Sequence, residues 1–122
     1  MELTYQGEKI IVINNHFKCC GDGILDMGNT SDEEFRRFQA SNLLKQYIDD
    51  NFSNKRVMVI GDLNDLITDV SPNNVYQAFL DDNANYLFAD ESIAYGPSAF
   101  WSFPNWPSHL DHILVTNELF SD

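Results

Sequence analysis

Three clusters of polar residues each adjoin an apolar run in this chain. Asn14-Asn15-His16-Phe17-Lys18 follows Ile10-Ile11-Val12-Ile13, and Asp62-Leu63-Asn64-Asp65 follows Val57-Met58-Val59-Ile60-Gly61. Ser108-His109-Leu110-Asp111-His112 precedes Ile113-Leu114-Val115. Asp62 and Asn64, two residues apart, offer a hard oxygen ligand and a neutral hydrogen-bond donor. A metal-bound phosphate or an in-line water calls for that pair. The competing reading is an Asx-rich turn, because Asn and Asp close turns through their own side chains. A lone histidine such as His16 is more often structural than functional, but the flanking Asn and Lys pull this one toward chemistry. Two buried strands that both deliver polar groups at their carboxyl ends weigh further toward a site, since loops there present polar groups from a rigid base.

The elements that must hold these clusters are legible from periodicity. The runs Ile10–Ile13, Val57–Ile60 and Ile113–Val115 are continuously apolar, which predicts central strands apolar on both faces. Leu3–Tyr5 and Ile10–Ile13 flank Gln6-Gly7-Glu8-Lys9, a hairpin in which Gly7 supplies the positive φ of a tight turn. Ser31 with Glu34 three residues on fits a capping box, and Asp32 and Glu33 suit the positive end of a helix dipole. The helix should run to about Phe52, with Ala40, Leu43, Leu44, Tyr47 and Ile48 as its apolar stripe and Gln39, Gln46, Asp49 and Asp50 opposite. The order is β-α-β, joining the His16 strand to the Asp62 strand. A short helix is predicted from about Asn73 or Asn74, and a short strand or extended loop over Tyr86–Ala89. The aromatic stretch Phe100-Trp101-Ser102-Phe103-Pro104-Asn105-Trp106 either packs its loop onto the sheet, the commoner outcome, or forms a substrate-stacking wall. His109 and His112, three apart in an extended segment, should face opposite sides, which argues against a zinc pair. Asp111 enters a buried strand, where a carboxylate is costly unless paired, for instance by orienting a histidine.

At 122 residues the chain is long enough for one modest domain. Its 43% hydrophobic and 13% aromatic content suits a packed core rather than disorder. Seven basic residues against 19 acidic ones, a net charge of -12, argue against nonspecific binding to a nucleic-acid backbone. The same balance is compatible with a cation-dependent site. No apolar run is long enough to span a membrane, and the first residues lack the pattern of a signal peptide. Cys19 and Cys20 are adjacent, the wrong spacing for zinc. They are either a strained vicinal disulfide or, the safer reading, two free thiols pointing opposite ways along an extended segment.

Taken together, the clusters resemble the endonuclease/exonuclease/phosphatase superfamily, the deoxyribonuclease-I-like fold. Asn14-x-His16 looks like its Asn-x-His strand end, Gly61-Asp62-Leu63-Asn64 like its Gly-Asp-x-Asn motif, and Leu110-Asp111-His112-Ile113 like its Leu-Asp-aromatic-Ile segment. The resemblance implies an α/β fold with a mixed sheet, one part of a four-layer sandwich of two packed sheets with helices outside. It implies metal-dependent hydrolysis of a phosphate ester with Mg²⁺ or Mn²⁺. His16 would hydrogen-bond the scissile phosphate, Asp62 would hold the attacking water or a cation, and Asn64 would steady water or a phosphate oxygen. Asp111 would orient a histidine that residues 1–122 do not contain, while Asn14 and Lys18 would contact substrate.

The family's upstream Asn and metal-binding Glu, and its closing Ser-Asp-His motif, have no counterpart in residues 1–122. The chain is therefore expected to be a partial domain, weak in Mg²⁺ binding and poor in turnover by itself. Asp111, not His112, takes the carry-over. A bare sheet face is expected to favour a homodimer. The alternatives are a non-catalytic folding or interaction module and a calcineurin-like metallophosphatase, whose Gly-Asn-His and paired-histidine ligands are not found.

Overall fold

A computed structural model of the chain describes residues 1–103 and 106–120. Five strands form a single mixed sheet: β1 (Glu2–Tyr5), β2 (Glu8–Asn14), β3 (Arg56–Asp62), β4 (Tyr86–Phe88) and β5 (Asp111–Thr116). Their spatial order is β1-β2-β3-β5-β4. β2 runs parallel to β3, as the β-α-β order predicts, and the other neighbours are antiparallel. Gln6 and Gly7 both take positive φ, 51° and 88°, the two-residue hairpin turn whose twist matches that of its strands.

Helix α1 (Glu33–Asn51) connects β2 to β3 and covers one sheet face. Its cap is Asp32 rather than Ser31: the Asp32 carboxylate accepts the Phe35 amide at 2.7 Å. Glu34 is thereby released from a capping box and turns inward. The buried residues of α1 are Glu34, Arg37, Ser41 and Ile48, whereas Leu43 and Tyr47 of the predicted stripe are exposed. Polar residues take the inward positions because Asp65, past the end of β3, supplies a buried partner for Arg37.

The core lies between α1 and the sheet, with Val57, Val59, Leu114, Tyr86 and Phe88 pointing into it beside Ile48, Leu63, Ile67 and Tyr76. Asn74 closes a turn by accepting the Tyr76 amide at 2.8 Å, so the short helix α2 (Gln77–Leu80) begins later than Asn73 or Asn74. α3 (Glu91–Ala94) follows β4.

The three runs are apolar on both sheet faces: Ile11, Ile13, Val57, Val59 and Leu114 lie on the α1 side, and Val12, Met58, Ile60, Ile113 and Val115 on the other. Along β5 the exposed Asp111 and Ile113 alternate with the buried His112 and Leu114. Asp111 therefore lies at the surface rather than in the buried setting its strand suggested, because the register turns it away from the α1 face. The aromatic stretch also differs from the packed arrangement: Phe100, Phe103 and Trp106 are 73%, 48% and 74% exposed. The stretch is held by Trp101, which donates its indole N–H to the Ile93 carbonyl at 3.1 Å, and by Ser102, whose Oγ accepts the Leu110 and Asp111 amides. Pro104 and Asn105 of that stretch lie outside the described residues.

Candidate functional site

The carboxyl ends of β2 and β3 are brought together by backbone pairing. Asn15 donates its amide to Ile60 and Phe17 donates to Asp62, each at 3.0 Å. That approach needs Gly61, whose φ is 136° and where a Cβ would run into the Asn15 carbonyl oxygen. The glycine of Gly-Asp-x-Asn is thus the residue that lets the His16 loop lie against the Asp62 strand end.

On the same end, Asp62 stands directly opposite Asp111 in the antiparallel register. His16 reaches the pair from β2, with Nε2 3.7 Å from Asp62 Oδ2. The His16 side chain is 73% exposed and that of Asp62 40%, so both are open to a solute. His16, Asp62 and Asp111 therefore converge, although they are far apart in sequence. Like charges facing each other across two strands repel, and a cation between them would remove that cost.

Asn64 is partly structural. With φ at 56°, it donates its side-chain amide to the Phe17 carbonyl at 3.1 Å, and its backbone amide bonds Asp62 Oδ1 at 3.1 Å. The Asx turn and the site thus coexist, and Asn64 ties the two loops together. Asn14 is exposed at the end of β2. Lys18 is drawn aside: its ammonium donates to the Cys19 carbonyl at 3.1 Å and lies 3.8 Å from Glu33.

Beneath the site lie two buried networks that the sequence did not reveal. Arg37 pairs with Asp65 at 2.8 Å and Glu34 at 3.1 Å, and donates to the carbonyls of Lys18 and Cys20. It fastens the His16–Cys20 loop to the segment after Asp62. Asp65, though part of the polar cluster, is therefore a scaffold residue. In the second network Asp90 Oδ2 meets His109 Nε2 at 2.8 Å and His112 Nδ1 at 2.7 Å, and Asp90 Oδ1 accepts the Ile113 amide. His112 Nε2 donates to the Asp65 carbonyl at 2.9 Å.

The two histidines converge rather than diverge because His109 precedes the first residue of β5. Burial opposes ionisation of Asp90, but the bonds from His112, Ile113 and His109 outweigh it and hold its carboxyl below the usual range. Donor atoms of Asp90, His109 and His112 lie within 4.8 Å of one another, spacing that could hold a metal. Both ring nitrogens of His112 are already engaged, so this cluster is better described as a clamp on β5. A signal for Asp90 existed in its place just after the Tyr86–Phe88 run. For Arg37 there was none.

Asp69 adds a pH-dependent element to this region. Burial, and then the neighbouring Asp65 carboxylate, raise its pKa from 3.8 to about 6. Between those values the folded chain keeps a proton that the unfolded chain has released, so stability falls as pH rises through that window and stays lower above it. Asp69 is partly exposed, and solvent screening reduces the effect to about 1 kcal/mol. Thermal melts should show Asp69→Asn melting with the wild type near pH 4 and above it at neutral pH. Parallel curves at all pH values would contradict this.

Among curated protein sequences none matches the chain. Among solved structures the chain is similar to the human Nocturnin catalytic domain with bound sulfate anion, at 20% identity and a TM-score of 0.47. That match covers 95% of this chain and 38% of the other, so the chain spans well under half of that domain. The family model described as Endonuclease/Exonuclease/phosphatase family matches residues 7–122. The chain, with its α/β fold and mixed five-stranded sheet, belongs to the endonuclease/exonuclease/phosphatase family.

Proposed function

We propose that this chain carries one wall of the active site of a phosphate-ester hydrolase that uses Mg²⁺ or Mn²⁺. The observation that carries the reading is the register of Asp62 against Asp111, with His16 3.7 Å from Asp62. The donor set fits a hard divalent cation: two facing carboxylates, open to solvent, suit an ion that keeps several of its own waters. When bound, such an ion would neutralise charge on the phosphate and make a coordinated water more acidic.

The chain's own residues then divide the work. Asp62 holds the cation or the attacking water, with Asp111 as its opposed partner on β5. Asp111 sits at the surface beside Asp62, on the opposite side of β5 from the buried His112, and is open to a histidine supplied from outside residues 1–122. His16, whose side chain is largely exposed, places an N–H against a phosphoryl oxygen and stabilises the charge that develops there. Asn64 keeps the His16 loop at its distance from Asp62 and leaves its carbonyl oxygen for the water. Asn14, beside them at the end of β2, is placed to touch the substrate. Lys18 reaches the phosphate only by leaving Glu33. The family match leaves the calcineurin-like alternative without support, and no observation favours a non-catalytic module over this reading.

Paramagnetic broadening by Mn²⁺ in the amide NMR spectrum of the chain tests it. Broadening should centre on Asn14–His16, Asp62–Asn64 and Asp111, and should vanish in Asp62→Asn. Broadening centred on Asp90, His109 and His112, or on Asp32–Glu34, would move the cation elsewhere and sink the assignment.

A further inference from the structure

The adjacent cysteines do not splay apart as two neighbours in an extended segment would. Cys20 has a φ of 75°, in the left-handed region that residues other than glycine rarely occupy. The Arg37 guanidinium, itself buried, holds that turn from beneath, donating to the Lys18 carbonyl at 2.8 Å and the Cys20 carbonyl at 2.7 Å. As a result both thiols stand on the solvent side, free and exposed, with their sulfurs 2.8 Å apart. The chain has no other cysteine, so each is the only intramolecular partner of the other.

We propose that Cys19 and Cys20 are a reversible dithiol–disulfide site that reacts with low-molecular-weight disulfides of the glutathione class. In the first step the Cys19 thiolate attacks one sulfur of the small disulfide. The sulfur–sulfur bond breaks, a mixed disulfide forms on Cys19, and one small thiolate leaves. The Cys20 thiolate then attacks the Cys19 sulfur, closing the vicinal bridge and expelling the second small thiolate. Two electrons pass from the protein to the small disulfide, and the two thiol protons end on the two small thiols.

The surroundings set this order. The Lys18 ammonium lies 4.0 Å from Cys19 Sγ, a positive charge beside the attacking sulfur. The Cys20 thiol is pushed above its ordinary value by its hydrogen bond with Cys19 and by the charge there, which suits it to the resolving role. Adjacent Cα atoms are about 3.8 Å apart, shorter than the usual disulfide separation of about 4.4–6.8 Å. A bridge so formed is strained, and strained bridges are the readily reduced ones. The site is therefore a switchable modification rather than a structural staple, and it stands independently of the hydrolytic reading.

Intact-mass and peptide-mass spectrometry of the chain after exposure to oxidised glutathione, with acid quench and alkylation, tests the proposal. The expected product has lost two hydrogens within the peptide containing both cysteines, keeps no glutathione, and returns to the dithiol with dithiothreitol. Cys20→Ser should stop at a stable glutathione adduct on Cys19. Stable glutathione adducts on the wild type, disulfide-linked pairs of chains, or unreacted thiols would each overturn it.

Discussion

Replacing Arg37 by methionine should destabilise the fold by about 3–5 kcal/mol, the cost of breaking a buried ion pair by removing one partner. The guanidinium is 2% exposed and sits between Glu34 and Asp65, both buried. Without it two carboxylates face a low-dielectric interior unneutralised, and the Lys18 and Cys20 carbonyls lose their donor. Against a net stability of about 5–15 kcal/mol for a domain of this size, the loss is a large fraction. Denaturant unfolding should show the midpoint moving strongly downward. Arg37→Lys should fall between, since an ammonium keeps the charge but lacks the planar fork that serves two carboxylates and two carbonyls at once. A loss under about 1 kcal/mol in Arg37→Met would mean that the two acids carry protons or water in place of the pairing described.

The opposite profile is expected of Asp62→Asn. Hydrolysis of an activated phosphodiester at saturating Mn²⁺ should fall by about a hundredfold or more, the scale on which losing a charged group at the reacting centre is felt. The wild-type rate itself is expected to be low, because two carboxylates hold an octahedral cation weakly. The comparison is therefore made at high protein concentration. Stability should not fall with it. Asp62 is partly exposed and faces the like charge of Asp111, so removing its charge should be neutral or stabilising by about 0.2–1 kcal/mol. Activity lost without stability lost separates a site residue from a scaffold residue such as Arg37. An Asp62→Asn variant as fast as the wild type would remove Asp62 from the chemistry.

The contrast between those two residues also marks what each level of description decides. The strands β2, β3 and β5, the Gln6-Gly7 turn and the polar strand ends are written in local pattern: apolar runs, a glycine where φ must be positive, Asn and Asp where strands stop. So is the meeting of His16 with Asp62, because a β-α-β order with both polar clusters at strand ends leaves parallel strands only one common end. Local pattern misjudged α1. Its apolar stripe predicted Leu43 and Tyr47 inside, whereas Glu34, Arg37 and Ser41 took the buried face. Burying a charge is decided by whether a partner waits there, and the partner of Arg37 is Asp65, on the far side of a whole strand. The convergence of His109 and His112 on Asp90, and the outward turn of Asp111, have the same origin. Periodicity along one segment states which residues share a face. Only the packing of distant segments states which face is wet, and which buried polar group finds its counterpart.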